Sequence, residues 1–465
     1  MRRPRVMLAG IQSGCGKTTV TCALMKALTD MGMDVGPFKC GPDYIDPMFH
    51  RAVTGNPSVN LDGVFTDEAM MTWLLASHGR DRSVSVIEGV MGYYDGQADT
   101  AVGSAWDVAV KTGTPVILIV RPAGAALSVA AMIKGYMAFR QPSMIAGLIL
   151  NGIREGIYGF YKAMLERELG LPVLGFLPED AQTVFAGRHL GLVTAGEMED
   201  LEEKIGRLGQ TALKTLEIDS ILDIARKAPD LPERMPEPLL QALKRNEGKQ
   251  TVRLAVAMDK AFSFYYTDNL RLLSRMGARI LPFSPLSDGS LPEDIHGLYI
   301  GGGYPELYAR SLAENASMRR AIRRAVTEEG LPVVAECGGY MYLAEYVKDK
   351  EGVRWPMCGA VPGECEMTGR LGPFGYVEVE CGTDTPLGPV GTRFMAHEFH
   401  YSKMTGADGD FSMKKANGSG WRGGCGRKNL YAAYPHLYFP AALDAAVSFM
   451  DSMRDWRDRK ERGKR

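Results

Sequence analysis

The sequence predicts an α/β protein of two successive domains, each built on a parallel sheet. Three observations carry that expectation. Short β-rich runs alternate with helix-favouring stretches in both halves; one run in each half empties into a glycine turn that opens a helix; and 465 residues exceed what one hydrophobic core organises.

In the first half the runs are 5–10, 35–39, 84–88, 115–121, 145–151 and 173–177. Helical stretches between them demand crossovers, hence a parallel sheet with right-handed connections. Residues 197–250 are charged, helix-favouring and broken by Pro229, Pro232, Pro236 and Pro238, and read as a helical linker. A second α/β series follows with runs at 253–258, 279–283, 298–300 and 333–336 and a first helix over 267–276. Residues 358–425, rich in Gly, Pro and Thr, read as antiparallel strands and loops without an assignable register. The last stretch, 451–465, alternates charges with no apolar face beyond Trp456 and reads as a solvated, frayed tail. The expected division is 1–196, 197–250, 251–450 and 451–465, with no internal repeat.

Composition narrows the function classes. Lys plus Arg number 54 against 55 Asp plus Glu, a net charge of -1, so no global field draws the chain to nucleic acid or an anionic membrane. No stretch reaches the roughly 18 apolar residues of a membrane helix. The basic start leads into only six residues of apolar run, 6–11, before a glycine loop, and reads as a first strand rather than an export signal. A cytoplasmic protein is expected. Eight cysteines without a C-x-x-C pair argue against a zinc site and a disulfide framework.

The first chemical motif is Gly10-Ile-Gln-Ser-Gly14-Cys-Gly16-Lys17-Thr18-Thr19, at the end of a strand and the start of a helix. There, backbone N–H groups and the helix N-terminus can hold phosphates; Gly14 and Gly16 allow close approach, Lys17 reaches the β and γ oxygens, and Thr18 ligates Mg²⁺. Five residues separate Gly10 from Gly16 where the standard loop has four, and this variant resembles the loops of dethiobiotin synthetase and the partition ATPases. Glu88 closes a strand, Asp95 follows in a glycine-flexed loop, and Asp43 and Asp46 lie just past another strand. Carboxylates gathered outside the carboxyl ends of one sheet would hold Mg²⁺, with Thr18 and Glu88 as its ligands, or orient the group to be phosphorylated.

The second motif is Ala335-Glu336-Cys337-Gly338-Gly339, a buried strand, a sharp turn and a helix. Such an elbow exposes a nucleophile, and the helix start favours a thiolate. Gly301-Gly302-Gly303 leaves an earlier strand; the N–H groups of Gly302, Gly303 and Gly338 would form an oxyanion hole, and the late His436 is placed to act as base. Together these read as a Cys–His glutaminase. His397 and His400, at i and i+3, are either metal ligands or hydrogen-bonded pocket histidines, and no third ligand sits at a sensible spacing.

Taken in order, the loop, Phe38-Lys-Cys-Gly-Pro-Asp-Tyr-Ile-Asp-Pro-Met-Phe-His50, Ile87-Glu-Gly-Val-Met-Gly, Arg188-His-Leu-Gly-Leu, Ala261-Phe-Ser-Phe-Tyr-Tyr, Gly301-Gly-Gly-Tyr-Pro-Glu, Ala335-Glu-Cys-Gly-Gly and His397-Glu-Phe-His-Tyr-Ser resemble the cobyrinic acid a,c-diamide synthase family over nearly the whole chain. The Gly-Pro-Asp-Tyr-Ile-Asp-Pro run favours that family over the related cobyric acid synthases. The resemblance implies a dethiobiotin-synthetase-like P-loop NTPase domain followed by a class I (triad) glutamine amidotransferase-like domain. It implies amidation of the a and c acetates of a corrinoid through acyl phosphates, each round using ATP, Mg²⁺ and glutamine. It makes Cys337 the nucleophile and His436 its base, and puts Asp43, Glu88 and Asp95 on acidic positions near ATP and substrate. A homodimer is compatible with it; nucleic acid and membrane are not expected partners. Two positions depart from the pattern. Tyr438 stands two residues after His436, where such enzymes carry Glu or His, which leaves open what orients the imidazole, Glu398 being one candidate; and Ala396 replaces a glycine. Nickel-sirohydrochlorin and hydrogenobyrinic acid remain alternative substrates, and a nucleotide-driven ATPase switch or a non-catalytic binding module are the rival classes.

Overall fold

The computed structural model describes residues 3–179, 198, 200–407 and 409–463, together with the backbone of 187–188 and 191–192. Two compact units emerge, Met1–Pro236 and Glu237–Arg465.

The first unit runs β1 (Arg5–Gly10), α1 (Lys17–Asp30), β2 (Val35–Cys40), α2 (Asp46–Thr54), β3 (Val59–Leu61), α3 (Glu68–His78), β4 (Val84–Glu88), α4 (Ala105–Thr112), β5 (Val116–Val120), α5 (Leu127–Phe139), β6 (Ile145–Asn151), α6 (Glu155–Leu169) and β7 (Val173–Leu177). Its strands pair in the order β3-β2-β4-β1-β5-β6-β7, all parallel. Near-continuous apolar runs such as Val-Ile-Leu-Ile-Val in β5, buried at every position, are what a sheet covered on both faces requires. The edge strand β3, absent from the sequence reading, is three residues long and too short to show a period. With β4 and β5 on either side, β1 delivers its carboxyl end to the switch point where an open α/β sheet binds ligands.

Beyond the short pair β8 (Gly187–Arg188) and β9 (Gly191–Leu192) come α7 (Leu201–Thr215) and α8 (Ile218–Arg226). Of the Arg188-to-Leu192 motif only those backbone positions are described; His189 and Leu190, like the expected boundary at 196, lie outside the described residues. Where the sequence reads a linker, the structure has two amphipathic helices in the first unit's core. Leu201, Ile205, Leu208 and Ala212 recur at spacings of three and four and join Ala23 and Leu24 of α1 in one cluster, with Ile221, Leu222 and Ala225 of α8.

The second unit opens with α9 (Glu237–Lys244), β10 (Val252–Ala257), α10 (Thr267–Arg275), β11 (Ala278–Phe283), β12 (Gly297–Ile300), α11 (Ala309–Glu314), α12 (Ala316–Thr327), β13 (Val333–Glu336) and α13 (Gly338–Leu343). Short strands follow: β14 (Tyr346–Lys348), β15 (Arg354–Pro356), β16 (Glu364–Met367), β17 (Phe374–Cys381), β18 (Arg393–Phe399), β19 (Ser402–Thr405), β20 (Phe411–Lys414), β21 (Gly420–Gly423), β22 (Cys425–Arg427), β23 (Leu430–Ala433) and β24 (His436–Leu437), before α14 (Leu443–Gly463). The main sheet, β11-β10-β12-β13-β23-β22, is parallel except at β22. Sheets β15-β14-β16-β19 and β21-β20-β17-β18-β24 resolve the region that had no assignable register, and all their pairings except β14 with β16 are antiparallel.

The tail departs from the frayed end expected for it. It is the continuation of α14, which buries Phe449, Met453 and Trp456 at helical spacing. Trp456 Nε1 donates to the Glu329 carbonyl at 2.9 Å, and the buried Arg454 guanidinium donates to Asn246 Oδ1 at 2.6 Å and to the Met276 carbonyl at 2.8 Å. A charged residue whose donors are all placed can be buried, which charge counting alone misses. Among the described residues no helix is long and apolar enough to cross a membrane.

Candidate active sites

The first site grows from the end of β1. Gly14 and Gly16 have φ of 77° and 91°, the left-handed region that glycine enters freely. Gly16 is constrained twice, because a Cβ there would lie 2.0 Å from Asn151 Nδ2. That amide donates to the Cys15 carbonyl at 2.8 Å, pinning the loop from the end of β6. Lys17 folds back over the loop, its Nζ donating to the Gln12 carbonyl at 3.3 Å, and burial lowers its pKa below the usual lysine value. Beside the loop opens a cavity of about 150 Å³ lined by Gly14, Gly16, Thr19, Asn151, Pro178 and Leu208. The α7 helix thus lines it, and neither α7 nor Asn151 was singled out from the sequence.

In the first turn of α1, Thr18 Oγ1 donates to Glu88 Oε1 at 2.8 Å and lies 3.2 Å from Asp46 Oδ1. Register supplies the next member: Lys39 pairs with Glu88 across β2 and β4, so the two side chains leave the sheet together. Lys39 Nζ sits 2.6 Å from Asp46 Oδ2, 3.1 Å from Glu88 Oε1 and 3.7 Å from Asp43 Oδ2. His50 Nε2 approaches Glu88 Oε2 at 2.7 Å, with Nδ1 3.1 Å from Ser58 Oγ. Burial opposes charge here, and the neighbouring groups decide where it prevails. Burial works against the Lys39 ammonium, yet Asp46, Glu88 and Asp43 outweigh it and raise its pKa well above the ordinary value. Burial likewise pushes Glu88 up, but Lys39, His50 and Thr18 hold it well below the carboxylate range. Asp46 goes the other way, raised by burial and then by Asp43 and Glu88.

Asp43 caps the start of α2, its Oδ1 accepting from the amides of Ile45 and Asp46. Of the acidic residues singled out, Asp43, Asp46 and Glu88 therefore gather with Thr18. Asp95 does not: its Oδ2 accepts from the Gly92 amide at 3.0 Å and closes its own turn, and among the described residues it has no hydrogen bond or ion pair with Thr18, Asp46 or Glu88. Flexibility of a glycine-rich segment allowed the approach; the hydrogen bond back to the Gly92 amide engages the carboxylate locally instead.

The second site begins where β13 stops. Cys337 has φ 50° and ψ −104°, a conformation that non-glycine residues hold only under constraint. Its amide donates to the Ala433 carbonyl at 2.8 Å and its carbonyl accepts from Met341 at 3.0 Å. The thiol is nearly enclosed; burial, with the Glu306 carboxylate, holds its pKa far above the usual cysteine value. Burial thus works against the thiolate expected from a helix start.

Parallel pairing of β13 with β23 sets Glu336 opposite Ala433 and brings the chain, three residues later, to His436. The imidazole lies against Gly302, where a Cβ would come 2.4 Å from His436 Cε1 and 3.1 Å from Nε2. Gly303 joins the same corner, its amide nitrogen 3.0 Å from where a Gly338 Cβ would stand. Gly302, Gly303 and Gly338 therefore converge on the elbow together with His436. Burial, reinforced by His397 and His400, lowers the His436 pKa to about 3.

Glu398 is not what orients His436. Its Oε1 lies 2.8 Å from His400 Nε2, while His400 Nδ1 is 2.7 Å from the Ser402 carbonyl and the ring stacks on Tyr434 at 3.7 Å. Among the described residues no trio of His, Cys, Asp and Glu is arranged to hold a metal ion, and His400 is a hydrogen-bonded histidine. Tyr438 turns toward α10 and donates to Asp268 Oδ2 at 3.2 Å. Sequence reasoning passed over Lys39, His50 and Glu336. Lys39 and Glu336 lie at the carboxyl ends of strands and His50 on the helix after one, and only the folded sheet reveals what each meets.

A phosphate-type loop at a switch point in one α/β unit and a cysteine elbow in the other define a two-part glutamine amidotransferase. Family models agree: a CobQ/CobB/MinD/ParA nucleotide binding domain matches residues 6–190, and a CobB/CobQ-like glutamine amidotransferase domain matches 253–443. The chain is 40% identical over 449 residues to cobyrinate a,c-diamide synthase of Caldanaerobacter subterraneus, covering 96% of this chain and 97% of that protein. It is 41% identical over 443 residues to the Listeria monocytogenes (strain F2365) protein of the same name, covering 94% and 96%, and 38% identical over 464 residues to that of Dehalococcoides mccartyi (strain CBDB1), covering 98% and 99%. The chain belongs to the cobyrinate a,c-diamide synthase family.

Proposed function

We propose that the protein amidates the a and c acetate carboxylates of cobyrinic acid, using ATP and glutamine, in the cytoplasm. The observation that carries this reading is the strained Cys337 turn, held against the strand leading to His436 in a chain whose other unit bears the Gly14–Thr19 loop.

In the second unit, the Cys337 thiol proton passes to His436, and sulfur attacks the side-chain amide carbon of glutamine. The N–H groups of Gly303 and Gly338, with Gly302 alongside, stabilise the oxyanion; His436 returns the proton to the departing nitrogen, and water later cleaves the thioester to glutamate. In the first unit, backbone N–H groups of Gly14, Gly16, Thr18 and Thr19 with Lys17 hold the triphosphate, and the adjoining cavity takes the nucleoside end. A substrate carboxylate attacks the γ-phosphorus, the bond to the β,γ-bridging oxygen breaks and ADP leaves, and ammonia then displaces phosphate from the acyl phosphate. Three carboxylates facing one ammonium leave the Thr18 corner with room for a cation. Thr18 and Glu88, with Asp46 beside them, would hold Mg²⁺, which when bound would supply charge neutralisation for the triphosphate. Asp43 and Asp46 shape the substrate side of the same corner, and Asp95 the loop beside it.

The test is turnover of cobyrinic acid with ATP, Mg²⁺ and glutamine, following the a,c-diamide, glutamate and ADP. Mono- and diamide products are expected. Turnover of nickel-sirohydrochlorin alone, or no ATP hydrolysis in the presence of any corrinoid, would overturn the reading.

A further inference from the structure

Glutaminases of the cysteine–histidine type hold their imidazole with a third side chain, and here the position two residues after the histidine is Tyr438, which faces Asp268. The structure offers another carboxylate. Glu336, the residue before the nucleophile and only 1% exposed, has its Oε2 3.7 Å from His436 Nδ1. Its oxygens are fixed by two donors: the Leu437 amide reaches Oε1 at 2.9 Å, and the Tyr299 hydroxyl reaches Oε2 at 2.9 Å.

We infer that Glu336 is the positioning residue of the glutaminase, fixing His436 through Nδ1 and countering the charge the imidazole acquires when it takes the Cys337 proton. This rests on the glutaminase reading above.

Three features favour it. First, Glu336 binds the backbone of Leu437, the residue next to His436, so one carboxylate fixes both the ring's strand and the ring's edge. Asn269 completes the clamp, donating to the Leu437 carbonyl at 2.7 Å and accepting from the Phe439 amide at 2.7 Å. Second, the geometry divides the imidazole: Nε2 lies over Gly302 on the elbow side, while Nδ1 looks toward Glu336. Base and orienting group thus occupy opposite ring edges, as a relay requires. Third, among the described residues no lysine or arginine is paired with Glu336. The titratable groups around it are Tyr299, Tyr265, Tyr431 and His436, with His397 and His400 beyond the imidazole. A buried carboxyl group kept without a cation is costly unless something turns positive beside it. Proton transfer from Cys337 to Nε2 creates that positive charge on the ring that faces it.

Burial raises the Glu336 pKa to about 8, against the Leu437 and Tyr299 hydrogen bonds that lower it. Glutaminase turnover should therefore climb as Glu336 ionises, giving a limb near that pH.

The experiment compares Glu336→Gln, Glu336→Asp and Cys337→Ala in the full chain, with glutamine and then ammonium as nitrogen donor. Glu336→Gln keeps the shape and loses the charge. The expected result is a fall in glutaminase kcat of about 10²- to 10⁴-fold, loss of the alkaline limb, and ammonium-dependent synthesis that persists as the measure of folding. Glu336→Asp should restore the limb at reduced rate. A Glu336→Gln protein with parental kcat and an intact limb overturns the inference, as does a Glu336→Asp protein that is no better than Glu336→Gln. Glutaminase activity surviving in Cys337→Ala would instead overturn the reading of the site itself.

Discussion

The two sites solve opposite electrostatic problems with the same architectural device, a residue at the carboxyl end of a parallel strand. Around Lys39 and Glu88 the first unit packs Asp43, Asp46 and His50 within ion-pair distance, and there the neighbouring charges hold the Lys39 ammonium and the Glu88 carboxylate ionised against burial, while Asp46 is pushed up. Around Cys337 the second unit buries a thiol, an imidazole and a carboxyl group, and burial drives all three toward their neutral forms. The contrast follows from the chemistry. A triphosphate and Mg²⁺ bring charge of their own, so their site has to be ionic before they arrive. A glutamine side chain brings none, so its site can keep every proton in place until the amide is bound.

Separating the sites by donor gives the largest effect. Cys337→Ala should abolish glutamine-dependent amidation, a loss of at least about 10⁴-fold, while synthesis from ammonium continues at the parental rate. Equal loss with both donors would show that the elbow also serves the synthetase chemistry and would break the division.

Next comes the ionic cluster. Lys39→Met removes the cation that faces three carboxylates, so both nitrogen donors should suffer alike, with synthesis falling about 10²- to 10³-fold. Stability of the first unit should drop by about 3 kcal/mol, read from denaturant unfolding, because uncompensated buried carboxylates remain. A Lys39→Met protein impaired only with glutamine would contradict the assignment of this cluster to ATP and substrate.

Gly302→Ala sharpens the neutral site. A Cβ 2.4 Å from His436 Cε1 must displace the ring, and glutaminase kcat should fall by about 10²-fold with little change in ammonium-dependent synthesis. An unchanged glutaminase would mean that the imidazole has freedom the close packing denies.

The same contrast explains what was legible in the sequence. Six of the seven strands of the first sheet, all but the short edge strand β3, were readable to within a residue because runs such as residues 116–120 and 145–151 are apolar and bounded by glycine or proline turns. The glycine loop, Cys337 and His436 declare themselves by residue type and order. Lys39, His50 and Glu336 do not, since each acquires meaning from a register partner or a loop crossing far away in the chain: Lys39 from Glu88, His50 from Glu88 and Ser58, Glu336 from Leu437 and Tyr299. The α7 and α8 helices were legible but misread. Ile218, Ile221, Leu222 and Ala225 form an apolar stripe, and charge and proline content drew attention away from it. Trp456 was hidden in the same way by the charges around it.

The smallest effect is also the most diagnostic of a site kept neutral. Glu336 has a folded pKa of about 8, above its ordinary 4.5, so between those values the folded protein keeps a proton that the unfolded chain has released, and stability falls as pH rises. His436, lowered to about 3 from 6.5, acts in the opposite sense: between those values the unfolded chain takes up a proton that the fold excludes, so stability rises with pH and is complete above 6.5. The two slopes oppose one another from pH 4.5 to 6.5. Of these two groups only the glutamate acts above 6.5, so its contribution to the apparent Tm of the parent should decline between about pH 6.5 and 8. Glu336→Gln removes that decline while leaving the acid-side loss due to His436, so the two proteins should differ in slope only on the alkaline side. Parallel profiles across the whole range would mean that Glu336 is already ionised in the resting fold, and the neutral character assigned to this site would have to be given up.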